Sequence, residues 1–438
     1  MAPSKLGKSV GAVVVLACAL TVGSLTIDSS QSPAPPARIA VADPARLGGD
    51  DLDRSVTALE AQLATQPKDF TAWAALGTGY VEQARVKGDP TRYPLAQRAL
   101  ARSLELRPGY DAALAGRAAL AAARHDFTGA LRLVRETLAA NPYNERALAL
   151  HIDALVELGR YPAAWKAAQE ADSRKPGIPV FTRYAYVLEL RGETGRARQV
   201  LTRALATATS PADRAYVATE LGQLSRHQGD YRTALRHYAT ALTAAPGHPP
   251  ALEGRARAKA ALGQLDAAIR DLRELVRKTP LTGAVELLGE LYEVTGRKEA
   301  AREQYTLAAE QVAQERVRGV NMDLETAHMA AARGEGKAAV SAALAEWQRR
   351  RTVHTADALA WALHADGRSD EALAYARRAT ATGLPDAELR YHRGVIEAAL
   401  GKDTEARRSL SAALDLDPGF SPVGARHARA VLDRLGGA

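Results

Sequence analysis

Residues 215–246 read AYVATELGQLSRHQGDYRTALRHYATALTAAP, two helical patterns joined at a glycine. In the first, Ala218, Leu221 and Leu224 recur at helical spacing, and Gly222 beside Leu221 leaves one point of that face open to close approach. Gly229 ends it, because glycine takes the left-handed conformation that closes a helix without steric cost. In the second, Ala234, Leu235, Tyr238, Ala241 and Leu242 line one face until Pro246 stops it. Small residues at Gly222, Ala234 and Ala241 let the two helices touch, with Leu221, Tyr231 and Tyr238 filling the space around them. A pair of helices this short cannot bury both faces by itself, so it requires neighbours stacked against it. The stretch therefore predicts copies of itself elsewhere in the chain.

Copies occur in both directions. Pro108, Pro142 and Pro176 stand 34 residues apart, as do Pro246 and Pro280. Gly159, Gly192, Gly229, Gly263, Gly296, Gly334, Gly367 and Gly401 fall at intervals of 33 to 38 residues, so a second residue type keeps the same period. The small position of the second helix recurs as Ala96, Ala130, Ala164, Ala197, Ala234, Ala268, Ala301, Ala339, Ala372 and Ala406. Near the start, Trp73, Leu76, Gly77 and Tyr80 form W-x2-L-G-x2-Y, and a late copy carries Leu288, Gly289, Tyr292, Gly296, Ala301, Tyr305 and Ala308. On these residues the chain resembles the tetratricopeptide repeat family from about Asp69 to Pro418. The fold expected is all-α: a right-handed superhelical α-solenoid of about ten helix-turn-helix units. Departures occur at Val86 to Pro94, where the turn is about seven residues too long, and in the repeat from Asp111, where Ala118, Ala121 and His125 replace the usual Gly, Tyr and turn Gly. Between Ala309 and Gly334 the pattern weakens, and whether residues 311–318 extend the preceding helix is left open.

Outside the repeats, the chain of 438 residues begins with Lys5 and Lys8, then an uncharged run from Ser9 to Ile27, SVGAVVVLACALTVGSLTI. The run is long enough to span a bilayer, and the lysines before it with Asp28 after it orient the remainder outward. It reads as a retained signal anchor, as a cleaved signal with Ala40-Val41-Ala42 as a small-x-small site, or as a degenerate lipobox at Cys18. The division expected is 1–8 as a cytoplasmic n-region, 9–27 as the membrane or export segment and 28–49 as a Pro-rich linker. A capping helix over 50–68, the array over 69–420, weakest at 309–385, and a C-terminal capping helix over 421–438 follow. The location implied is the cell membrane, single-pass, with the repeats extracytoplasmic; secretion after cleavage is the alternative. High Ala, Arg and Gly content is similar to that of actinobacterial, hence bacterial, proteins.

The formal charge of +8 is spread over mixed-sign helix faces without a basic stripe interleaved with aromatics, which disfavours nucleic acid as a partner. Cys18 is the only cysteine, and the ten histidines show no metal-ligand spacing, so no disulfide framework, metal or cofactor is expected. No catalytic motif such as Gly-x-Ser-x-Gly or a phosphate-binding glycine loop occurs, and a non-enzyme is expected.

What the family resemblance implies is a concave groove lined by first helices that binds a peptide or helix of a protein partner. The groove candidates are residues off the packing face: Tyr186, Gln223, Arg226, His227, Arg257, Glu286, Glu290, Glu293, Trp361, His364 and Tyr391, with Asp153, Glu157, Glu189, Glu253 and His328 among their neighbours. A basic portion at Arg226, His227 and Arg257 precedes an acidic one at Glu286, Glu290 and Glu293. The paired Lys and Asn of the family's carboxylate clamp are absent. The function expected is a non-catalytic interaction scaffold at the cell envelope. The alternatives are an accessory or assembly subunit of an envelope enzyme complex and a nucleic-acid-binding regulator.

Overall fold

The computed structural model describes residues 49–87 and 89–436; the segments expected over 1–8 and 9–27 and the linker expected over 28–49, except its last residue Gly49, lie outside them. Twenty-two helices and no strand occur among the described residues, and no helix there is long and apolar enough to cross a membrane. An opening helix α1 (Gly49–Thr65) precedes the pairs α2 (Phe70–Lys87) and α3 (Tyr93–Leu106), α4 (Asp111–Ala123) and α5 (Phe127–Ala140), and α6 (Glu145–Glu157) and α7 (Tyr161–Arg174). Next come α8 (Ile178–Leu190) and α9 (Thr194–Thr207), α10 (Pro211–Arg226) and α11 (Tyr231–Ala244), and α12 (Pro249–Ala261) and α13 (Leu265–Lys278). The pairs α14 (Thr282–Val294) and α15 (Lys298–Val317), α16 (Asp323–Ala332) and α17 (Gly336–Arg349), α18 (Val353–Ala365) and α19 (Ser369–Ala379), and α20 (Ala387–Ala399) and α21 (Asp403–Leu416) follow, and α22 (Pro422–Gly436) closes the chain.

The packing inside a pair follows from its small residues. Tyr238 of α11 is fully buried between Gly222 of α10 and Gly254 of α12. A Cβ at Gly222 would lie 2.5 Å from Tyr238 Cε1, and one at Gly254 2.4 Å from Tyr238 Cζ. One aromatic ring thus fills the space that two glycines leave in successive first helices, which fixes the rise from one repeat to the next. Gly77 with Leu100, Gly289 with Tyr305 and Gly394 with Leu410 repeat the device at 2.5 to 2.7 Å. In α1, Leu52, Val56, Leu59 and Leu63 are buried at helical spacing and cover the first pair. The weak stretch resolves into an α15 of 20 residues, so residues 311–317 do continue that helix. The long early turn is taken up by a 3-10 turn at Pro90–Arg92, capped by the Asp89 side chain.

The array coils back on itself. Groups 186 to 196 residues apart in sequence meet along a seam: Tyr231 Oη donates to Asp417 Oδ1, and His125 Nδ1 lies 2.7 Å from Asn321 O. Between these, Arg350 pairs with Glu157, and Val353 N donates to Tyr161 Oη at 2.8 Å. At the level of Asp417, Gly419 N donates to Tyr231 Oη at 2.7 Å. With a period of about 34 residues, this spacing closes one superhelical turn every five to six repeats. Val353 and Leu389 belong to the same apolar cluster as Leu188, Leu221 and Leu224, so the seam is packed as well as hydrogen-bonded. The seam explains His125, which has φ 60° where the eight pairs that follow put glycine. Its ring accepts the strained backbone and in return bonds across the seam and stacks 5.7 Å from Phe127.

The C-terminal helix leaves the path of the array and turns inward. Ser421 Oγ donates to Glu290 Oε2 at 3.3 Å and Arg426 Nη2 to Val294 O at 3.2 Å, partners 131 and 132 residues back. With Arg426, Arg429 and Arg434 exposed and Gly424, Ala425, Ala428 and Val431 buried, α22 is polar outside and apolar inside.

Candidate functional site

Each first helix spends one face on its partner helix through residues such as Leu221, Gly222 and Leu224, and the positions between them, four and seven residues apart, are left for the inside of the coil. Because the coil closes, these inner positions from distant repeats act on one another. Arg257 of α12 and Glu388 of α20 shift each other's ionisation, and Glu388 also acts on Glu290 of α14. Arg183 and Arg257 still expose 29% and 30% of their side chains, so the inner face is wet although protein surrounds it.

The basic groups of this face are already engaged. Arg183 Nε lies 3.1 Å from Asp153 Oδ2, and its Nη1 donates to Tyr216 Oη at 3.3 Å. His227 Nδ1 meets Glu189 Oε1 at 2.8 Å. Arg226 sits 3.8 Å from the buried Asp417, across the seam. Arg257 Nη2 donates to Glu253 Oε1 at 2.8 Å and reaches Gly283 O at 3.4 Å. The basic portion expected at Arg226, His227 and Arg257 is therefore neutralised locally, which the spacing along the sequence could not reveal because Asp417 and Glu189 come from other repeats.

Several carboxylates have no such partner. Burial pushes Glu286 up to about 7 against the pull of Arg257, with Glu325, Glu388 and Glu253 adding to the rise. Glu290 is likewise pushed up to about 7, first by burial, against Arg257, with Glu388 raising it further and the Ser421 hydroxyl opposing. Glu220 reaches about 7 by burial, opposed by Arg183 and aided by Glu189. Glu388 is raised too, by the protein enclosing it although its side chain stays exposed, against His392, with Asp386 and Asp357 contributing. The inner face thus carries an excess of carboxylate inside a chain of net positive charge.

At the C-terminal end the face becomes aromatic. Trp361 stacks on His392 with centroids 4.1 Å apart and planes 21° from parallel, and Tyr391 lies 5.8 Å from Trp361 and 5.3 Å from Phe420. Tyr391 is buried, and its hydroxyl meets His427 Nδ1 at 2.8 Å, so α22 covers it. His392 Nδ1 pairs with Asp357 Oδ2 at 2.8 Å; burial disfavours the imidazolium, but Asp357 outweighs this and raises its pKa. His328 goes the other way, lowered to about 4 by burial despite Asp357.

Of the residues expected in the groove, Tyr186, Gln223, Arg226, His227, Arg257, Glu286, Glu290 and Trp361 keep intermediate exposure, and Tyr186 Oη reaches His354 Nε2 at 3.3 Å. Glu293 does not join Glu286 and Glu290: it is exposed and accepts from Tyr305 Oη at 2.9 Å. His364 Nδ1 lies 2.9 Å from Ser369 Oγ at the start of α19. Burial lowers its pKa, with His392 and His427 acting in the same direction, and no carboxylate is among the causes. That pair is a helix-end contact rather than a nucleophile with an oriented base. No group of three or more His, Cys, Asp or Glu side chains among the described residues is placed to hold a metal. Residues that the sequence reading passed over are Arg183, Glu220, Asp357, Glu388 and His392. The first four stand one helical turn before Tyr186, Gln223, Trp361 and Tyr391, and His392 directly follows Tyr391, so helical spacing from the chosen residues could have found them.

Family models for the tetratricopeptide repeat match residues 185–249, 225–286 and 358–419, which run from within α8 into α14 and from α18 to just past α21. Among solved structures, the chain is similar to PilF of Pseudomonas aeruginosa, at 22% identity over 48% of this chain and 92% of that one, with a TM-score of 0.35. It is also similar to the human IFIT1 dimer with PPP-AAAA, at 17% identity over 75% and 77%, with a TM-score of 0.48. A thermophilic tetratricopeptide repeat protein of Thermus thermophilus is 24% identical over 42% and 98%, with a TM-score of 0.37. No curated protein matches.

Proposed function

We propose that this protein is a non-catalytic scaffold that holds a segment of a protein partner against the inner face of its coil. The observation that carries the reading is the run of polar and aromatic side chains, from Asp153 to Trp361, that the first helices present to a wet interior and that pair packing does not use. Surfaces of this kind suit extended segments, whose exposed groups find partners at regular intervals along the repeats. The carboxylate excess disfavours a polyanion there, which speaks against nucleic acid in the coil. The repeats would be displayed outside the membrane by Ser9 to Ile27, with assembly of an envelope complex as the setting.

A photo-crosslinking residue at Gln223, inside, and one at Arg236, exposed on α11, test the reading in intact cells. One partner segment should be captured from position 223 and not from 236. Capture from 236 alone would place binding on the outer surface and remove the basis of the proposal. Protease added to intact cells should digest the repeats if they face outward; full protection would contradict the location.

A further inference from the structure

Arginines along the array face carboxylates, as Arg183 faces Asp153, Arg255 faces Asp271 and Arg393 faces Glu397. Two on α22 do not. Arg426 Nη2 donates to Val294 O at 3.2 Å and Arg429 Nη2 to Pro418 O at 2.6 Å, and neither forms an ion pair among the described residues. Each carbonyl takes one N–H of a guanidinium that has five, and both side chains are exposed, so most of their donors stay open to a ligand.

The same two arginines line a cleft of about 490 Å³. One wall is the turn from α12 into α13, with Ala261 and Leu265, together with Val294 at the end of α14; the other is the start of α22 and the chain entering it, with Pro418, Pro422 and Ala425. Gly419 packs so closely on α12 that a Cβ there would lie 2.6 Å from Ala261 Cβ. Ser421 and Arg426 reach α14, and the cleft is the space that these few attachments leave unfilled. Asp433 is the one acid among the lining residues; Glu290 of α14 faces the start of α22, where the Ser421 hydroxyl answers it. A cleft of this size holds a short segment rather than a single side chain. Its apolar walls suit an aliphatic group, and guanidiniums held in place by carbonyls suit carboxylates beside it.

We propose that this cleft receives an acidic segment of a partner protein, with an aliphatic side chain inside it and flanking carboxylates bound to Arg426 and Arg429. The chain's net charge of +8 draws such a segment in at long range. That there is a partner rests on the scaffold reading, but the cleft contains none of the inner-face positions, Gln223 among them, so either can fail alone.

The test uses the full chain and a fluorescein-labelled peptide in which a leucine is flanked on both sides by glutamates. The peptide should bind, weaken with salt, and lose binding when its leucine becomes serine or its glutamates become lysines. Arg426→Gln with Arg429→Gln keeps an amide donor for each carbonyl and should weaken binding about tenfold, as two exposed charge-assisted pairs would. Ala430→Trp, at an exposed position lining the cleft, leaves both arginines in place and should abolish binding by filling the apolar space. Amide exchange in residues 422–436 checks that α22 stays folded in both variants. Arg434→Gln, exposed on the same helix but not lining the cleft, should bind as wild type does. Unchanged binding by the double variant or by Ala430→Trp would overturn the proposal. So would an equal loss in Arg434→Gln, which would reduce the effect to net charge. If inorganic phosphate or a single-stranded oligonucleotide displaces the peptide and the leucine proves dispensable, the cleft is a general anion site and the acidic protein segment falls. Absence of peptide binding counts against the cleft, while crosslinking from Gln223 decides the scaffold separately.

Discussion

Replacing Glu290 by glutamine keeps the shape of the side chain and its contact with the Ser421 hydroxyl while removing a charge that the interior of the coil disfavours. Its carboxyl is pushed from the ordinary 4.5 to about 7, first by burial, against Arg257, with Glu388 and Glu286 adding to the rise. A folded-state pKa above the unfolded one means that the folded protein holds the proton more tightly. The stability linked to it is complete below about pH 4.5 and is lost as pH rises through about 7. A shift of about 2.5 units corresponds to ~3 kcal/mol against the ionised wild type at pH 8, reduced to ~1.5 kcal/mol for the water that the coil admits. Glu290→Gln should therefore be the more stable protein at pH 8, with the advantage falling to about a quarter by pH 5. Urea midpoints of the helical signal, measured for both proteins at both pH values, read this directly. A variant that is no more stable at pH 8, or whose advantage is the same at both, would refute the enclosed carboxylate. Glu274→Gln is the outer-surface control: Glu274 lies 2.8 Å from Lys278, whose hydrogen bond lowers its pKa, so any effect should run the opposite way.

Three further expectations concern the fold. Tyr231→Phe removes the hydroxyl that donates to Asp417 and accepts from Gly419; it should cost ~1–3 kcal/mol and speed amide exchange in residues 416–424 more than in α2 to α5. Gly222→Ala forces a Cβ to 2.5 Å from Tyr238 and should cost ~1–3 kcal/mol, whereas Gly195→Ala, with nothing within 4 Å, should stabilise by ~0.4–1 kcal/mol; denaturation midpoints distinguish the two. His125→Gly relieves the φ of 60° but loses the bond to Asn321, and His125→Ala keeps the strain and loses the bond. The glycine variant should be the more stable of the pair by ~1 kcal/mol, with both showing faster exchange near Asn321.

The repeats were legible because the packing code is local: Gly222, Ala234 and Tyr238 lie within one unit, and the same spacing recurs along the chain. The long α15 was not, since residues 311–317 carry no turn signal strong enough to place the helix end. The seam was invisible for a different reason. Tyr231 reads as a packing residue and Asp417 as a polar one before a proline, and only closure of the coil makes them partners 186 residues apart. The inner face was legible in outline, through Gln223, Arg257, Glu286 and Glu290. Its charge balance was not, because Arg226 is answered by Asp417 and His227 by Glu189. Tyr391 belongs to the same class: its position on α20 points inward, but α22 folds over it.

That the array closes on itself, so that an acidic inner face is enclosed, is tested most directly by a zero-length carbodiimide crosslink across the seam. Arg350 and Glu157 form a cross-seam ion pair 193 residues apart, and Arg350→Lys presents an amine that such a reagent can join to the Glu157 carboxylate. Lys278 with Glu274, 2.8 Å apart within one helix, is the built-in reference. Mass spectrometry of the digested full chain should find the 157–350 isopeptide in monomeric protein at a yield comparable to 274–278. Because residue 350 also faces Glu346, the digest is searched for 346–350 as well: with Glu346→Gln added to remove that competitor, finding 274–278 without 157–350 would mean that the coil is open and the inner face is an ordinary solvated surface.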